Sequence, residues 1–160
     1  MTISVGDKIP SVTLLEMGAD GPGPVTTDAL FGGKTVAVFG VPGAFTPTCS
    51  AKHLPGFKDH AADLKAKGVD EIVCMAVNDV FVMDAWGKAQ SAGGAMRMVA
   101  DGDAAFTKAT GLEMDLTGKG LGLRSQRFSM VVKDGTVTAL YVDAPGEFKV
   151  SSAEKMLEDL

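Results

Sequence analysis

The chain has 160 residues, 46% hydrophobic and 22% charged, with 15 Lys and Arg against 20 Asp and Glu for a net charge of −5. That length fits one domain, 1–160, able to bury about 70% of its unfolded surface, and the composition excludes disordered and fibrous classes. The acidic balance and lack of a basic cluster exclude nucleic acid as a partner, no apolar run reaches the roughly 18 residues of a membrane span, and two cysteines exclude a disulfide scaffold.

In chain order, Ser11–Glu16 reads as a strand, Gly18–Pro24 as a turn-rich loop, and Val25–Phe31 as a hairpin-like entry. After Gly32 and Gly33, Thr35–Val41 is continuously apolar and β-branched, the pattern of a central strand covered on both faces. Pro42–Pro47 is a loop, and from Thr48 the residues Ala51, Leu54, Phe57, Ala61 and Leu64 recur at helical spacing until Gly68 ends the run. Pro55-Gly56 predicts a kink inside that helix. Glu71–Val77 is a second buried strand, followed by a helix from Val80 to Trp86 capped by Asn78 or Asp79.

The succession strand, helix, strand, helix predicts a parallel sheet. Ala95–Ala100 is a third strand, Asp103–Thr110 a short helix, and Gly111–Gly122 a glycine-rich loop. Arg127–Val132 and Val137–Val142 flank Asp134-Gly135, the residue pair of a tight hairpin, so they are predicted to pair antiparallel. From Ser151 a helix with Met156, Leu157 and Leu160 on one stripe docks on the domain. The expected class is α/β: a central mixed sheet flanked by helices, with an N-terminal β extension.

The chemistry points to Cys49. A loop containing Pro42, Gly43 and Pro47 leaves a buried strand and delivers Cys49 into the first turn of the next helix. There the unpaired N–H groups and the positive end of the dipole favour a thiolate, the reactive form of cysteine. Thr46, three positions earlier, can turn a hydroxyl to the same incoming group. Cys74 sits inside a buried strand, where an inert packing thiol is the simplest reading. The two histidines, His53 and His60, have no zinc-type spacing, so neither metal nor cofactor is expected. His53, four residues after Cys49, can either tune the site or bond locally.

The pattern Pro42-x-x-x-Thr46-x-x-Cys49 resembles the active-site signature of peroxiredoxins. Its wider form, Gly40-Val41-Pro42-Gly43-Ala44-Phe45-Thr46-Pro47 through Cys49-Ser50 to His53-Leu54-Pro55-Gly56-Phe57, is similar to the type II, or peroxiredoxin five, class. Val77-Asn78-Asp79, Phe81-Val82 with Trp86-Gly87, and Arg127–Val132 extend the resemblance over nearly the whole chain. Four separated blocks in the right order are far more specific than a lone T-x-x-C.

The resemblance implies a thioredoxin-like fold and a thiol peroxidase that reduces hydrogen peroxide and alkyl hydroperoxides through a Cys49 sulfenic acid. It implies that Thr46, the Cys49 backbone N–H and Arg127 stabilise the charge that develops on sulfur and oxygen, while Pro42 shields the thiolate. Arg124, three residues before Arg127, is the alternative guanidinium. Gly43 and Phe45 are expected at the substrate pocket. Cys74 is a possible resolving cysteine, as in some relatives; the C-terminal resolving position of others is occupied by Ser151. Glutathione with glutaredoxin, or thioredoxin, is therefore the expected reductant. The resemblance also implies a homodimer near the active-site loops, with Phe45 and Trp86 as contacts.

A disulfide reductase would need Cys-x-x-Cys, and Thr46 stands where the first cysteine would be. The alternative function is a redox-sensing or holdase-like interaction protein switched by Cys49 oxidation. Met1-Thr2-Ile3-Ser4-Val5 carries neither a basic, apolar leader nor an Arg-rich one, so the expected compartment is the cytoplasm.

Overall fold

The computed structural model describes residues 2–160; Met1, first residue of the start read above, lies outside them. A seven-stranded sheet runs through the molecule, with β1 at Thr13–Gly18, β2 at Gly21–Thr26, β3 at Thr35–Val41, β4 at Glu71–Ala76, β5 at Arg97–Ala100, β8 at Phe128–Lys133 and β9 at Thr136–Val142. Its order is β2-β1-β5-β4-β3-β8-β9. β3, β4 and β5 are parallel, and the strands outside them run antiparallel to their neighbours. This is the mixed α/β sheet that the alternating strand and helix patterns predict.

Alternation along the strands divides the interior in two. Ala37, Phe39, Val41, Cys74 and Ala76 face a core completed by Leu54, Phe57, Leu64, Met83, Trp86 and Met156. On the other face Val36, Val38, Val73, Met75, Met130 and Val132 pack with Leu30, Phe31, Phe106 and Leu112. Both faces of the central strands are thus dry, which is why those strands read as unbroken apolar runs. Gly40 lets the Phe128 ring cross β3: a Cβ there would lie 2.1 Å from the ring.

The first core is covered by α2 (Leu54–Asp59), α3 (Ala61–Ala66), α4 (Val80–Ala89) and α6 (Ala153–Asp159). Asp79 caps α4 by accepting from the Val82 N–H at 2.8 Å, and Ser152 caps α6 by accepting from the Lys155 N–H at 3.1 Å. The β8–β9 turn has Asp134 at φ 47 and Gly135 at φ 78, as a two-residue hairpin of matching twist requires.

Four local expectations are corrected. The Gly18–Pro24 stretch is mostly strand: β2 pairs with β1, with Met17 opposite Pro22 and Leu15 opposite Pro24. Two residues apart, both prolines turn their nitrogens to the open edge, where no donor is needed. Val25–Phe31 contains the short helix α1, Thr27–Phe31, whose Ala29 N–H donates to the Thr26 hydroxyl at 3.1 Å. Gly111–Gly122 holds β6, Glu113–Leu116, which pairs with β7, Gly122–Ser125, as a separate two-stranded ribbon. The helix expected from Asp103 is α5, Ala105–Thr110; its N-cap Ala104 offers no side-chain acceptor, and the buried Asp101 accepts instead from the N–H groups of Phe106 at 3.1 Å and Thr107 at 2.9 Å.

Candidate active site

β3 ends at Val41, and the chain then turns through residues 42–46. The turn is pinned from two sides. The Ala44 N–H donates to Asn78 Oδ1 at 2.9 Å, and the Thr46 hydroxyl donates to the Gly43 carbonyl at 2.7 Å. Phe45 takes the left-handed region, φ 63, and holds its ring 56% exposed at the tip. Because the Thr46 proton is already placed on Gly43, that hydroxyl has only its oxygen lone pairs left to offer, the capacity of an acceptor rather than of the donor expected from the sequence.

The first helical bond after the turn runs from the Ser50 N–H to the Thr46 carbonyl at 3.0 Å, so the Cys49 N–H lies ahead of the ladder. Cys49–His53 forms a π-helical turn, closed by the Leu54 N–H on the Cys49 carbonyl. The helix predicted to kink at Pro55-Gly56 has this widened turn just ahead of the proline, which supplies no N–H and crowds the preceding carbonyls, and it breaks at His60, between α2 and α3. Cys49 itself is fully buried.

Arg127 reaches Cys49 from across the sheet. β8 pairs with β3 so that Phe128 stands opposite Gly40, which places Arg127 at the end of β3 where the turn begins. Its Nη2 donates to Cys49 Sγ at 3.2 Å and its Nη1 to His53 Nδ1 at 3.0 Å. Arg124 goes elsewhere. Its Nε donates to the Leu121 carbonyl at 2.9 Å and its Nη1 to the Pro42 carbonyl at 3.2 Å, bracing the outside of the turn. Gly43 lies beneath it, where a Cβ would come within 2.7 Å of Arg124 Nη1.

A cavity of about 380 Å³ opens beside Arg127 and Pro42, with Thr48, Met114, Leu116 and Lys119 among its lining. Neither Gly43 nor Phe45, expected at the pocket, lines it. Cys74 is paired in register with Phe39 and Met98 in the middle of the sheet, fully buried. Burial pushes its thiol up, and the neighbouring Cys49 adds to that. Trp86, expected at a subunit contact, is instead core: it is fully buried, and its Nε1 donates to Ser50 Oγ at 3.0 Å. The exposed aromatic on that helix is Phe81, at 64%.

His53, open in the sequence between tuning the site and bonding locally, bonds Arg127, and sequence reasoning missed what stands behind it. His53 is buried, and its Nε2 lies 2.9 Å from the Ser151 carbonyl oxygen, although 98 residues separate the two in the chain. Burial first, then the Arg127 guanidinium, lower its pKa to about 3, against smaller opposing effects of the Ser151 carbonyl and Asp143. Burial pushes the Asp143 carboxyl up, but donors from Ser151, Val150 and Lys149 outweigh it and hold the group below the usual carboxylate range. No spacing in the sequence links Asp143 to Cys49; only the pairing of β8 with β9 brings them to one end of the sheet.

The Redoxin family matches residues 4–157 of the chain. Peroxiredoxin-2B of Arabidopsis thaliana is 50% identical over 159 residues, covering 99% of this chain and 98% of that one. Among solved structures, reduced Prx3 from Vibrio vulnificus in complex with hydrogen peroxide superposes with a TM-score of 0.95 at 52% identity over 99% of each chain. Peroxiredoxin 5 from Alvinella pompejana gives 0.85 at 33% identity, over 98% of this chain and 96% of that one.

Proposed function

The chain belongs to the peroxiredoxins, within the redoxin family, and is an antioxidant thiol peroxidase; from that premise we propose that Cys49 is its nucleophile, served by Arg127, Thr46 and Pro42. The observation that carries the assignment is the guanidinium Nη2 held 3.2 Å from Cys49 Sγ. A planar, permanently charged group at that distance can face sulfur and an adjacent oxygen together.

The thiolate sulfur attacks one peroxide oxygen. The S–O bond forms as the O–O bond breaks, and the electron pair leaves with the second oxygen, which takes from solvent the equivalent of the proton the thiol released on ionising and departs as water, or as alcohol from an alkyl hydroperoxide. Cys49 ends as a sulfenic acid. Negative charge spreads over sulfur and both oxygens in between, so Arg127 and the Cys49 N–H stabilise the transition state more than the ground state. Thr46 accepts from the peroxide's own proton and orients it, and the Pro42 ring keeps water from the sulfur.

Glutathione with glutaredoxin, or thioredoxin, returns the sulfenic acid to thiol: a donor thiol attacks the sulfur, expels water, and a second thiol resolves the mixed disulfide. The position of Cys74 in mid-sheet, with its thiol pushed up by burial, supports an external donor over an internal disulfide. The sensing or holdase alternative is not favoured by relatives that match over their whole length as peroxiredoxins. Exposed Phe45 and Phe81, on segments joined by the bond from Ala44 to Asn78, support a homodimer through that face.

The test is peroxide consumption with excess dithiothreitol, then with each physiological donor. Cys49→Ser is expected to abolish turnover and Cys74→Ser to retain it with every donor. Full activity in Cys49→Ser would overturn the nucleophile, and loss in Cys74→Ser with one donor only would make Cys74 the resolving thiol for that donor.

A further inference from the structure

The His53 ring lies between the catalytic arginine and the C-terminal segment, and its two nitrogens have opposite partners. Arg127 Nη1, 3.0 Å from Nδ1, can only donate; the Ser151 carbonyl oxygen, 2.9 Å from Nε2, can only accept. The tautomer is therefore fixed. Nε2 carries the hydrogen and Nδ1 offers its lone pair to the guanidinium.

Ser151 is fixed in turn. The Asp143 carboxylate accepts from the Ser151 hydroxyl at 2.6 Å, from its N–H at 3.1 Å, and from the N–H groups of Val150 and Lys149 at 2.9 Å each. Asp143 closes the circuit on the main chain, where its own N–H donates to the Arg127 carbonyl at 2.9 Å. Around the imidazole stand the rings of Phe39, Phe57 and Phe148, with centroids 4.9, 5.7 and 5.1 Å away, so it has little freedom to turn.

We propose that His53 is the positioning residue for Arg127: a neutral imidazole, locked in one tautomer by Ser151 and Asp143, that holds Nη1 by accepting and thereby aims Nη2 at Cys49 Sγ. This rests on the reading of Cys49 and Arg127 as the peroxide-reducing pair. The neutral acceptor has a chemical reason. A carboxylate at the same place would hold the guanidinium as well but would offset part of its field, whereas an uncharged imidazole leaves more of the positive charge to act on sulfur and peroxide. The charged groups that face the ring are Arg127 and, through Ser151, Asp143; burial and Arg127 keep the ring uncharged far below neutral pH.

The test uses the two amide substitutes, because each reproduces one nitrogen. The Oδ1 of His53→Asn sits where Nδ1 was and accepts from Arg127. The amide of His53→Gln reaches the place of Nε2 and donates to Ser151, leaving Nη1 without its acceptor. Reduced protein is mixed with hydrogen peroxide, quenched in acid at set times, and the surviving Cys49 thiol is counted by alkylation and intact mass.

The expected result is that His53→Leu and His53→Gln slow Cys49 oxidation by about 10- to 100-fold, while His53→Asn stays within about 3-fold of the parent. Recovery by Gln and not Asn, or an unchanged rate in both Leu and Gln, overturns the proposal; if the Leu variant does not fold, Asn against Gln still decides. A parent rate profile with an inflection near the ordinary histidine range that vanishes in His53→Asn would also overturn it, since the ring would then be titrating as a base. Cys49→Ser in the same assay separates the two readings: loss of a countable thiol at another residue at the parent rate would sink the Cys49 assignment itself rather than the role of His53.

Discussion

A buried histidine that stays uncharged leaves a mark on stability as well as on reactivity. The folded ring titrates at about 3 and the unfolded one at its ordinary 6.5. Between those values the unfolded chain holds a proton that the folded one does not, so folding releases it and stability rises with pH. The contribution is complete above the unfolded value and is lost as pH falls toward the folded one, with a slope of about 1.4 kcal/mol per pH unit. The buried Asp101, whose carboxyl is pushed up by burial, works in the opposite sense and blunts the slope at its acidic end. Denaturant titrations between about pH 5 and about pH 7 are expected to show the unfolding free energy of the parent rising more steeply than that of His53→Asn. Parallel curves would mean the ring is charged in the folded state. Pro42, Thr46 and Cys49 were legible in the sequence because one short segment, the turn and the helix start after it, holds all three within eight positions. His53 was visible there only as a residue that could tune the site, and the support from Ser151 and Asp143 not at all, because that support is made of bonds between segments that are distant in the chain.

Among the elements, the core strands were readable from their unbroken apolar runs, whereas β2 and the β6–β7 ribbon were not. β2 is built largely from glycine and proline, and the ribbon is punctuated by Gly118, Gly120 and Gly122; the local preference of both is for turns, and only an edge position or a partner strand makes them extended. The opposite end of the sheet from the active site is held by charge. Arg97 on β5 donates to both oxygens of Glu16 on β1, at 2.7 and 2.8 Å, and to Glu71 on β4 at 3.0 Å, and Lys34 ahead of β3 reaches the same Glu71 at 3.4 Å. Four consecutive segments are thereby tied across three strand boundaries. Each side chain is about 30% exposed, so the network is partly screened by solvent. Arg97→Met is expected to lower stability by about 1 kcal/mol in dilute buffer and by less as salt is added. A loss that does not shrink with salt would mean that packing of the arginine stem, rather than its charge, is what matters there.

For the molecule as a whole, the loop that shapes the active site is also a surface. Phe45 and Phe81 are the most exposed large aromatics, and the bond from Ala44 to Asn78 ties one loop to the start of the helix that carries the other. A homodimer seated there predicts that Phe81→Glu sediments as a monomer and that the change is transmitted to the residue 42–46 turn as slower peroxide reduction. A variant that still sediments as the parent does would place the contact elsewhere. The strand order carries one more consequence. Cys49 meets its guanidinium from a segment 78 residues further along, and the bond from His53 to Ser151 spans 98. A ribosome that has delivered the cysteine and its turn has delivered neither. While the intervening chain is being made the thiol stands without that guanidinium, and the site is assembled only when β8 pairs beside β3 and Ser151 reaches His53. Vectorial synthesis thus separates the making of the thiol from the making of the groups that face it, Arg127 directly and Ser151 through His53.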